Sequence, residues 1–113
     1  MPCAFPGFSW LNMAFRDLSK GTNIISRDKG NFIWRQFETA ISKGAKQIYA
    51  AMFDEIDEGT AIYKVTNNPP VGASAFVTYE GLPSDFYLRL VGEAGKWIHG
   101  KKGYGADLPL KTK

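Results

Sequence analysis

Cysteine and histidine are nearly absent from this sequence, with one of each among 113 residues. A single cysteine cannot form an internal disulfide or build a cysteine-based metal site, so we predict neither a metal nor another cofactor. A nucleophilic role for Cys3 would need a histidine partner, and His99 lies far along the chain. We therefore interpret Cys3 as a small apolar strand residue. His99 falls at the predicted end of a helix, where the helix dipole favours a capping role.

Long apolar runs are also missing, since no stretch approaches the roughly 20 apolar residues that cross a bilayer. No membrane span is therefore predicted. The first six residues lack the basic and apolar regions of a signal peptide. The net charge is only +3, and no nucleic-acid-binding motif surrounds the basic residues, so no nucleic-acid partner is expected. Residues 101–113 are predicted to be a loose, solvated basic tail. The lysines near this end are Lys96, Lys101, Lys102, Lys111 and Lys113.

What the chain does have is the composition of a globular domain, with 44% hydrophobic and 14% aromatic residues. Aromatic rings bury large areas, and they also stack on flat ligands. The aromatic content therefore fits either a dense core or a binding cleft. The length suits a single unit.

The first half of the chain has the pattern of a strand, a long loop, a helix and a second strand. Residues 3–5 form an apolar run that is closed by Pro-Gly, and residues 8–30 are rich in loop formers. Loops of that length are usually functional. Asn31 is predicted to cap a helix that ends at Gly44, with Ile33 and Phe37 on its apolar face. The continuous apolar run at 47–53 is typical of a strand in a parallel sheet that is buried on both faces.

A second helix is predicted after a segment that breaks regular structure at Asn67–Pro70 and an irregular stretch at 71–82. Ser84 is its expected N-cap and Gly100 its end. Its predicted apolar face repeats at helical spacing and consists of Tyr87, Leu90, Val91, Ala94, Trp97 and Ile98. Trp97 and also Trp34 of the first helix are assigned to the core. The fold class is therefore α/β, with a parallel βαβ unit. Two parallel strands do not make a covered sheet, so the sequence is predicted to be part of a larger fold.

Four carboxylates in five residues follow the second predicted strand: Asp54, Glu55, Asp57 and Glu58. The carboxyl ends of strands are where active sites of α/β barrels are built. Repulsion between two close carboxyl groups can separate their pKa values, so that one acts as a proton donor and the other as a base. Glycoside cleavage requires such a pair. A solvated helix start is the alternative from the residues alone. A calcium loop does not fit, because Ile56 occupies a position that needs an oxygen ligand. Gly59 and Thr60 allow a tight bend with a hydroxyl nearby.

Three motifs resemble glycoside hydrolase family 99, the endo-α-mannosidase and endo-α-mannanase group. Residues 53–60, Phe-Asp-Glu-Ile-Asp-Glu-Gly-Thr, resemble that family's Phe-Asn-Glu-Trp-His-Glu-Gly-Thr. Residues 6–8, Pro-Gly-Phe, resemble its Pro-Gly-Tyr, and residues 25–27 resemble its Ile-x-Arg. Bacterial proteins similar to families 71 and 99, often described as xylosidases or arabinosidases, share the acidic motif and the Leu-Pro-Ser-Asp-x-Tyr-Leu of residues 82–88.

The resemblance implies that residues 1–100 are the C-terminal portion, about the last two βα units, of a (β/α)8 barrel. It implies that Glu55 is the base and Glu58 the acid/base of a retaining reaction without a metal. In that reaction the base deprotonates the sugar's own 2-hydroxyl and a 1,2-anhydro sugar forms. Asp54, Ile56 and Asp57 replace the family's Asn, Trp and His, so mannose specificity does not follow. The complete parent is expected to be bacterial and periplasmic or secreted.

The remaining candidate residues are expected to contact an oligosaccharide or polysaccharide substrate. Trp10 is a candidate for stacking on a sugar ring, with a core position as its alternative. Arg27 is a candidate for binding a substrate hydroxyl, although pairing with an acidic residue is the favoured interpretation. Asp54, Asp57 and Thr60 complete the predicted substrate contacts. Three hypotheses result: an incomplete retaining glycosidase for α-linked glycans, a non-catalytic carbohydrate-binding or interaction piece, and an unrelated stand-alone α/β domain.

Overall fold

The computed structural model describes residues 1–10, 24–72 and 76–112 as a mixed α/β unit. The described strands are all two residues long, and two helices of 12 and 13 residues provide most of the regular structure. In chain order the elements are β1 (Cys3–Ala4), β2 (Phe8–Ser9), β3 (Ile24–Ile25), a 3-10 turn (Asp28–Gly30), α1 (Asn31–Ser42), β4 (Tyr49–Ala50) and α2 (Phe86–Ile98).

Strands β1 and β4 pair in parallel, with α1 between them in the chain. Cys3 lies opposite Tyr49 and Ala4 opposite Ala50, and the Ala51 amide donates to the Ala4 carbonyl at 2.9 Å. The predicted βαβ unit is thus confirmed.

Burial of residues 47–53 on both faces of the sheet was predicted and is wrong for this chain. Ile48 and Ala50 pack towards the helices, whereas Tyr49 is 52% exposed and Phe53 is 59% exposed. Successive strand residues point to opposite faces. One face of the sheet is therefore covered by helices, and the other face is exposed at Cys3 and Tyr49.

Strands β2 and β3 form a separate antiparallel pair, with Phe8 opposite Ile25 and Ser9 opposite Ile24. The long loop predicted at 8–30 therefore has short strands near both ends, and its residues 11–23 lie outside the described part of the chain. Gly7 permits this close pairing, because a Cβ there would lie 2.7 Å from the Ile25 carbonyl oxygen.

Helix α1 begins one residue earlier than predicted. Gly30, with φ of +93°, occupies the N-cap position, and Asn31 is the first helical residue. A left-handed residue that also touches another element must be small: a Cβ at Gly30 would lie 2.7 Å from Cε1 of Phe86. The predicted stop is confirmed, since Gly44 follows the helix with φ of +90°.

Helix α2 packs against α1 and completes the core. Asp85 rather than Ser84 holds the N-cap position, and its side chain makes no capping hydrogen bond. The predicted 3.6-residue spacing places its inward residues correctly, because Tyr87, Leu90 and Ala94 are buried. The core also takes residues from both helices and the intervening chain, including Ile33, Trp34, Phe37, Ile62, Tyr79, Leu82 and Phe86.

Residues 101–112 contain no helix or strand, yet they pack on the core. The Tyr104 ring lies 5.6 Å from that of Trp34 and 5.9 Å from that of Trp97, and the Trp34 Nε1 donates to the Gly105 carbonyl at 2.9 Å. The predicted loose tail is therefore wrong for this segment. The aromatic packing of an irregular segment leaves no periodic pattern in the sequence, so it could not be predicted.

In the described ranges no helix is long and apolar enough to cross a bilayer.

Candidate active site

The acidic loop, residues 54–62, follows β4 and is closed at its base by backbone hydrogen bonds. The Met52 amide donates to the Thr60 carbonyl at 3.1 Å, and the Ile62 amide donates to the Met52 carbonyl at 3.1 Å. The Tyr63 amide donates to the Phe53 carbonyl at 3.0 Å. The two ends of the loop are therefore fixed to each other.

Inside the loop, one carbonyl organises the turn. The Glu55 carbonyl accepts hydrogen bonds from the amides of Thr60 and Ala61 at 3.1 and 3.0 Å, and the Thr60 hydroxyl lies 3.4 Å from it. Gly59 has a φ of +67°, so the tight bend predicted at Gly59–Thr60 is confirmed. The loop does not start a helix. Glu55 and Glu58 both lie in this turn, and both residues are partly exposed.

The other predicted site residues of the loop differ in their exposure. Asp54 and Asp57 are exposed, whereas Thr60 is buried at 3% exposure with its hydroxyl directed at the loop backbone. A substrate contact of Thr60 would need this hydroxyl to leave the Glu55 carbonyl. The roles of all three residues in substrate binding stay predictions.

Three residues from distant parts of the chain hold the acidic loop from outside. The Ser9 amide donates to the Glu58 carbonyl at 2.6 Å. The Arg27 Nη2 donates to the carbonyls of Gly59 and Ala61, each at 2.8 Å. The Tyr79 hydroxyl is 3.0 Å from the Ala61 carbonyl and also contacts that of Tyr63. The loop is thus bound to β2, to the segment after β3 and to the segment before α2.

Arg27 is almost fully buried, with 2% exposure, between two tyrosine rings. Its guanidinium carbon lies 4.9 Å from the centroid of Tyr79 and 4.6 Å from that of Tyr87. Burial lowers the pKa of Arg27 below its ordinary value, an effect that the tyrosines oppose. Burial likewise raises the pKa of each tyrosine to about 12, and the arginine charge opposes that rise.

The favoured interpretation of Arg27, an ion pair with an acidic residue, does not match this arrangement. Within the described ranges Arg27 makes no salt bridge, and its Nε and Nη1 have no hydrogen-bond partner there. Backbone carbonyls take the position that a carboxylate was expected to occupy.

Exposed apolar side chains flank the acidic loop. Trp10 follows Ser9, is 37% exposed, and lies with its ring 4.4 Å from that of Phe8. Phe53 precedes the loop, and within it Ile56 is 41% exposed. Ile56 also lines a cavity of about 330 Å³ beside the loop. Trp10 is therefore not a core residue, and its ring has a free surface.

Sequence reasoning missed Ser9, Tyr79 and Phe53. Phe53 lies four residues after Tyr49, so in an extended segment both side chains point to the same face. This alternation was the available signal that the Phe53 side chain faces outward. Ser9 and Tyr79 reach the loop through contacts between residues far apart in sequence, which no local pattern marks. Among the residues that the structure describes, no three or more His, Cys, Asp or Glu side chains are grouped to hold a metal ion.

No protein-family model matches the chain, and no curated protein sequence does. The fold is similar to the solved structure of a GH99 endo-α-mannosidase from Bacteroides thetaiotaomicron in complex with Bis-Tris propane. The TM-score is 0.67 at 24% sequence identity, and the match covers 89% of this chain and 29% of that enzyme. The chain therefore spans less than a third of its structural neighbour's length. It is a small mixed α/β unit that shares the fold of one part of a glycoside hydrolase.

Proposed function

We propose that this chain supplies the catalytic carboxylates of a retaining glycoside hydrolase that acts on α-linked glycans. The observation that carries the proposal is the position of Glu55 and Glu58 in one tight turn directly after the parallel strand β4. That turn lies in a fold similar to part of an endo-α-mannosidase. The carboxyl end of a parallel strand is the usual place for such residues in α/β barrels.

In the proposed reaction the two glutamates have different tasks. Glu55 removes the proton of the sugar's 2-hydroxyl, whose oxygen then attacks the anomeric carbon as Glu58 protonates the departing glycosidic oxygen. A 1,2-anhydro sugar results. Water then opens it at the anomeric carbon, Glu58 takes the proton of that water, and Glu55 returns a proton to the 2-oxygen. Two inversions at one carbon give overall retention, and no metal is needed.

The chain is further proposed to be the C-terminal part, about the last two βα units, of a (β/α)8 barrel. The fold match to 29% of a longer enzyme supports this. The uncovered side of the parallel pair supports it too, because Cys3, Tyr49 and Phe53 are all exposed. In a barrel, that side of the sheet faces the packed interior. The remaining strands would cover it and would supply the rest of the substrate site.

The substrate would be bound beside the acidic loop. The exposed ring of Trp10 offers a surface for stacking on a sugar, while Asp54 and Asp57 can accept hydrogen bonds from its hydroxyls. These acidic residues also add negative charge next to the glutamates. The proposal therefore names the class of α-linked glycans and not mannose.

The first test is hydrolysis of aryl glycosides and α-mannan by the 113-residue chain. We expect no turnover, because the other barrel strands are absent, and robust turnover would refute the incomplete site. Sequencing the DNA before Met1 for an in-frame continuation that encodes further βα units tests the same point independently.

The second test uses a full-length relative, the complete form of the proposed barrel and the longer protein of these tests, with Glu58→Gln, a substitution that keeps shape and removes the proton donor. We expect a loss of at least about 100-fold in kcat, as is typical for general acid catalysis. Glu38→Gln on α1 is the matched control and should leave kcat unchanged. Equal activity of Glu58→Gln and wild type would exclude Glu58 as the acid/base.

A second candidate function is non-catalytic carbohydrate binding. The exposed apolar surface of Trp10 and Phe53 on either side of the loop favours it, because such surfaces stack on sugars. Glycan binding by the longer protein without any turnover in the wild type would select this function over hydrolysis.

A further inference from the structure

We propose that Arg27 is a positioning residue that fixes the backbone of the acidic loop without binding the side chains of Glu55 and Glu58. The inference rests on the proposed function of Glu58, and it assigns to Arg27 a role other than substrate binding. It starts from one contact: a single nitrogen, Nη2, donates to the carbonyls of Gly59 and Ala61, each at 2.8 Å. These carbonyls lie on either side of Thr60.

The choice of acceptor is the first step. An arginine that pairs with a carboxylate stabilises its ionised form, which would hinder a glutamate that must be protonated during its cycle. A backbone carbonyl does not titrate. By donating to Gly59 and Ala61, Arg27 forms two charge-assisted hydrogen bonds to the loop without binding the Glu55 or Glu58 side chain.

The second step is the effect on Glu58 itself. Its own carbonyl is held by the Ser9 amide at 2.6 Å, and the next carbonyl, that of Gly59, is held by Arg27. Two consecutive carbonyls are therefore fixed by groups outside the loop. This leaves mainly the side-chain torsions of Glu58 to be ordered, and pre-orientation of this kind is what a proton donor requires.

The third step is the environment that holds Arg27. Its guanidinium lies between the rings of Tyr79 and Tyr87, at 4.9 and 4.6 Å from their centroids. Tyr79 also contacts the Ala61 carbonyl, so the ring that contacts the cation binds the same loop. On the other side, Gly7 permits the approach, because a Cβ there would lie 3.0 Å from Cγ of Arg27.

The test is amide hydrogen exchange, measured by NMR on the 113-residue chain and on Arg27→Met and Arg27→Lys. Arg27→Met should speed exchange of the hydrogen-bonded amides of the loop, Gly59 to Ile62, by about 10-fold to 100-fold, as loss of charged hydrogen bonds predicts. Arg27→Lys retains a charged donor and should restore part of the protection but not all of it, because an ammonium cannot reproduce the geometry of the guanidinium. Exchange in α1 should change less than threefold in both variants.

Arg35→Met is the matched control, because Arg35 forms an exposed ion pair at 3.4 Å with Asp28, which lies outside residues 54–62. It should leave the loop unchanged. Equal acceleration in the loop and in α1 would show a general structural role and overturn the proposal, as would unchanged exchange of the loop in Arg27→Met. If Arg27→Met does not fold, Arg27→Lys alone decides, since it must accelerate the loop more than α1.

This measurement does not require enzymatic activity. Suppose that amide exchange in the loop accelerates in Arg27→Met while Glu58→Gln keeps full activity. Arg27 then positions the loop, and the catalytic role of Glu58 is refuted. If amide exchange in the loop is unchanged in Arg27→Met while Glu58→Gln is inactive, the catalytic role of Glu58 is supported and the positioning role of Arg27 is refuted. The two failures are therefore distinguishable.

Discussion

Gly59→Ala should destabilise the protein through two separate effects at the centre of the acidic loop. Gly59 has a φ of +67°, a conformation that costs an alanine about 1–2 kcal/mol. A Cβ at this position would lie 3.1 Å from Cγ2 and 3.3 Å from Cβ of Val77, and 3.4 Å from Cβ of Ser9. Crowding of this kind adds about 1–2 kcal/mol, the lower part of the usual range for overpacking. The expected total is about 2–4 kcal/mol.

Gly81→Ala separates the two effects, because it has only one of them. Its φ is +80°, and no atom lies within 4 Å of the position of an added Cβ. We therefore expect about 1–2 kcal/mol for Gly81→Ala. The difference between the two variants measures the contact with Val77 and Ser9. Adding Val77→Ala to Gly59→Ala should recover part of that difference, because the closest methyl group is removed.

Urea unfolding followed by tryptophan fluorescence is the assay, since Trp34 is fully buried. The reasoning is refuted if Gly59→Ala and Gly81→Ala lower the free energy of unfolding equally. It is also refuted if the free-energy changes of Gly59→Ala and Val77→Ala simply add in the double variant, because the contact between the two positions would then have no effect. Either result would mean that the loop is not packed against Val77 and Ser9.

The remaining predictions concern pH and the C-terminal segment. Burial raises the pKa of Tyr79 and of Tyr87 from 10.0 to about 12, so their neutral forms stabilise the folded state below pH 10, and this contribution is lost as the pH rises to about 12. Circular dichroism and tyrosinate absorbance should then report unfolding in the same pH window, and ionisation of every tyrosine near pH 10 without unfolding would contradict this. Tyr104→Ala should cost about 1–3 kcal/mol, because a partly buried ring is removed from Trp34. Lys101→Ala, the exposed control in the same segment, should cost less than about 0.5 kcal/mol in the same urea assay.

The elements that the sequence predicts well are those with a local signal. The apolar spacing of Ile33 and Phe37 identified the buried face of α1, and Tyr87 and Leu90 did the same for α2. Glycine marked the end of α1 because φ near +90° excludes most other residues there. The N-cap of each helix was predicted one residue away from its observed position. Asn31 was predicted where the structure has Gly30, and Ser84 where it has Asp85. Both errors arise because neither helix uses a side-chain cap.

The support of the candidate site was predictable only in part. The motif directed attention to Glu55 and Glu58, and the turn at Gly59 follows from a glycine beside them. The groups that hold the turn come from far away: Arg27 lies 32 residues from Gly59, and Tyr79 lies 18 residues from Ala61. A hydrogen bond to a backbone carbonyl is independent of the acceptor's side chain, so no residue pattern in the loop reveals its donor.

Two exposed aromatic residues, Tyr49 in β4 and Phe53 after it, connect the error in the strand prediction with the proposed barrel. The run at 47–53 is apolar at almost every position, a pattern that arises when both faces of a strand are covered. In this chain the alternate residues Tyr49 and Phe53 are about half exposed. An alternating pattern with polar residues outward would have served an isolated sheet better, since exposed aromatic surface favours association. The sequence is thus suited to a sheet covered on its second face as well. In the proposed barrel, further strands would cover that face and bring additional residues up to the acidic loop.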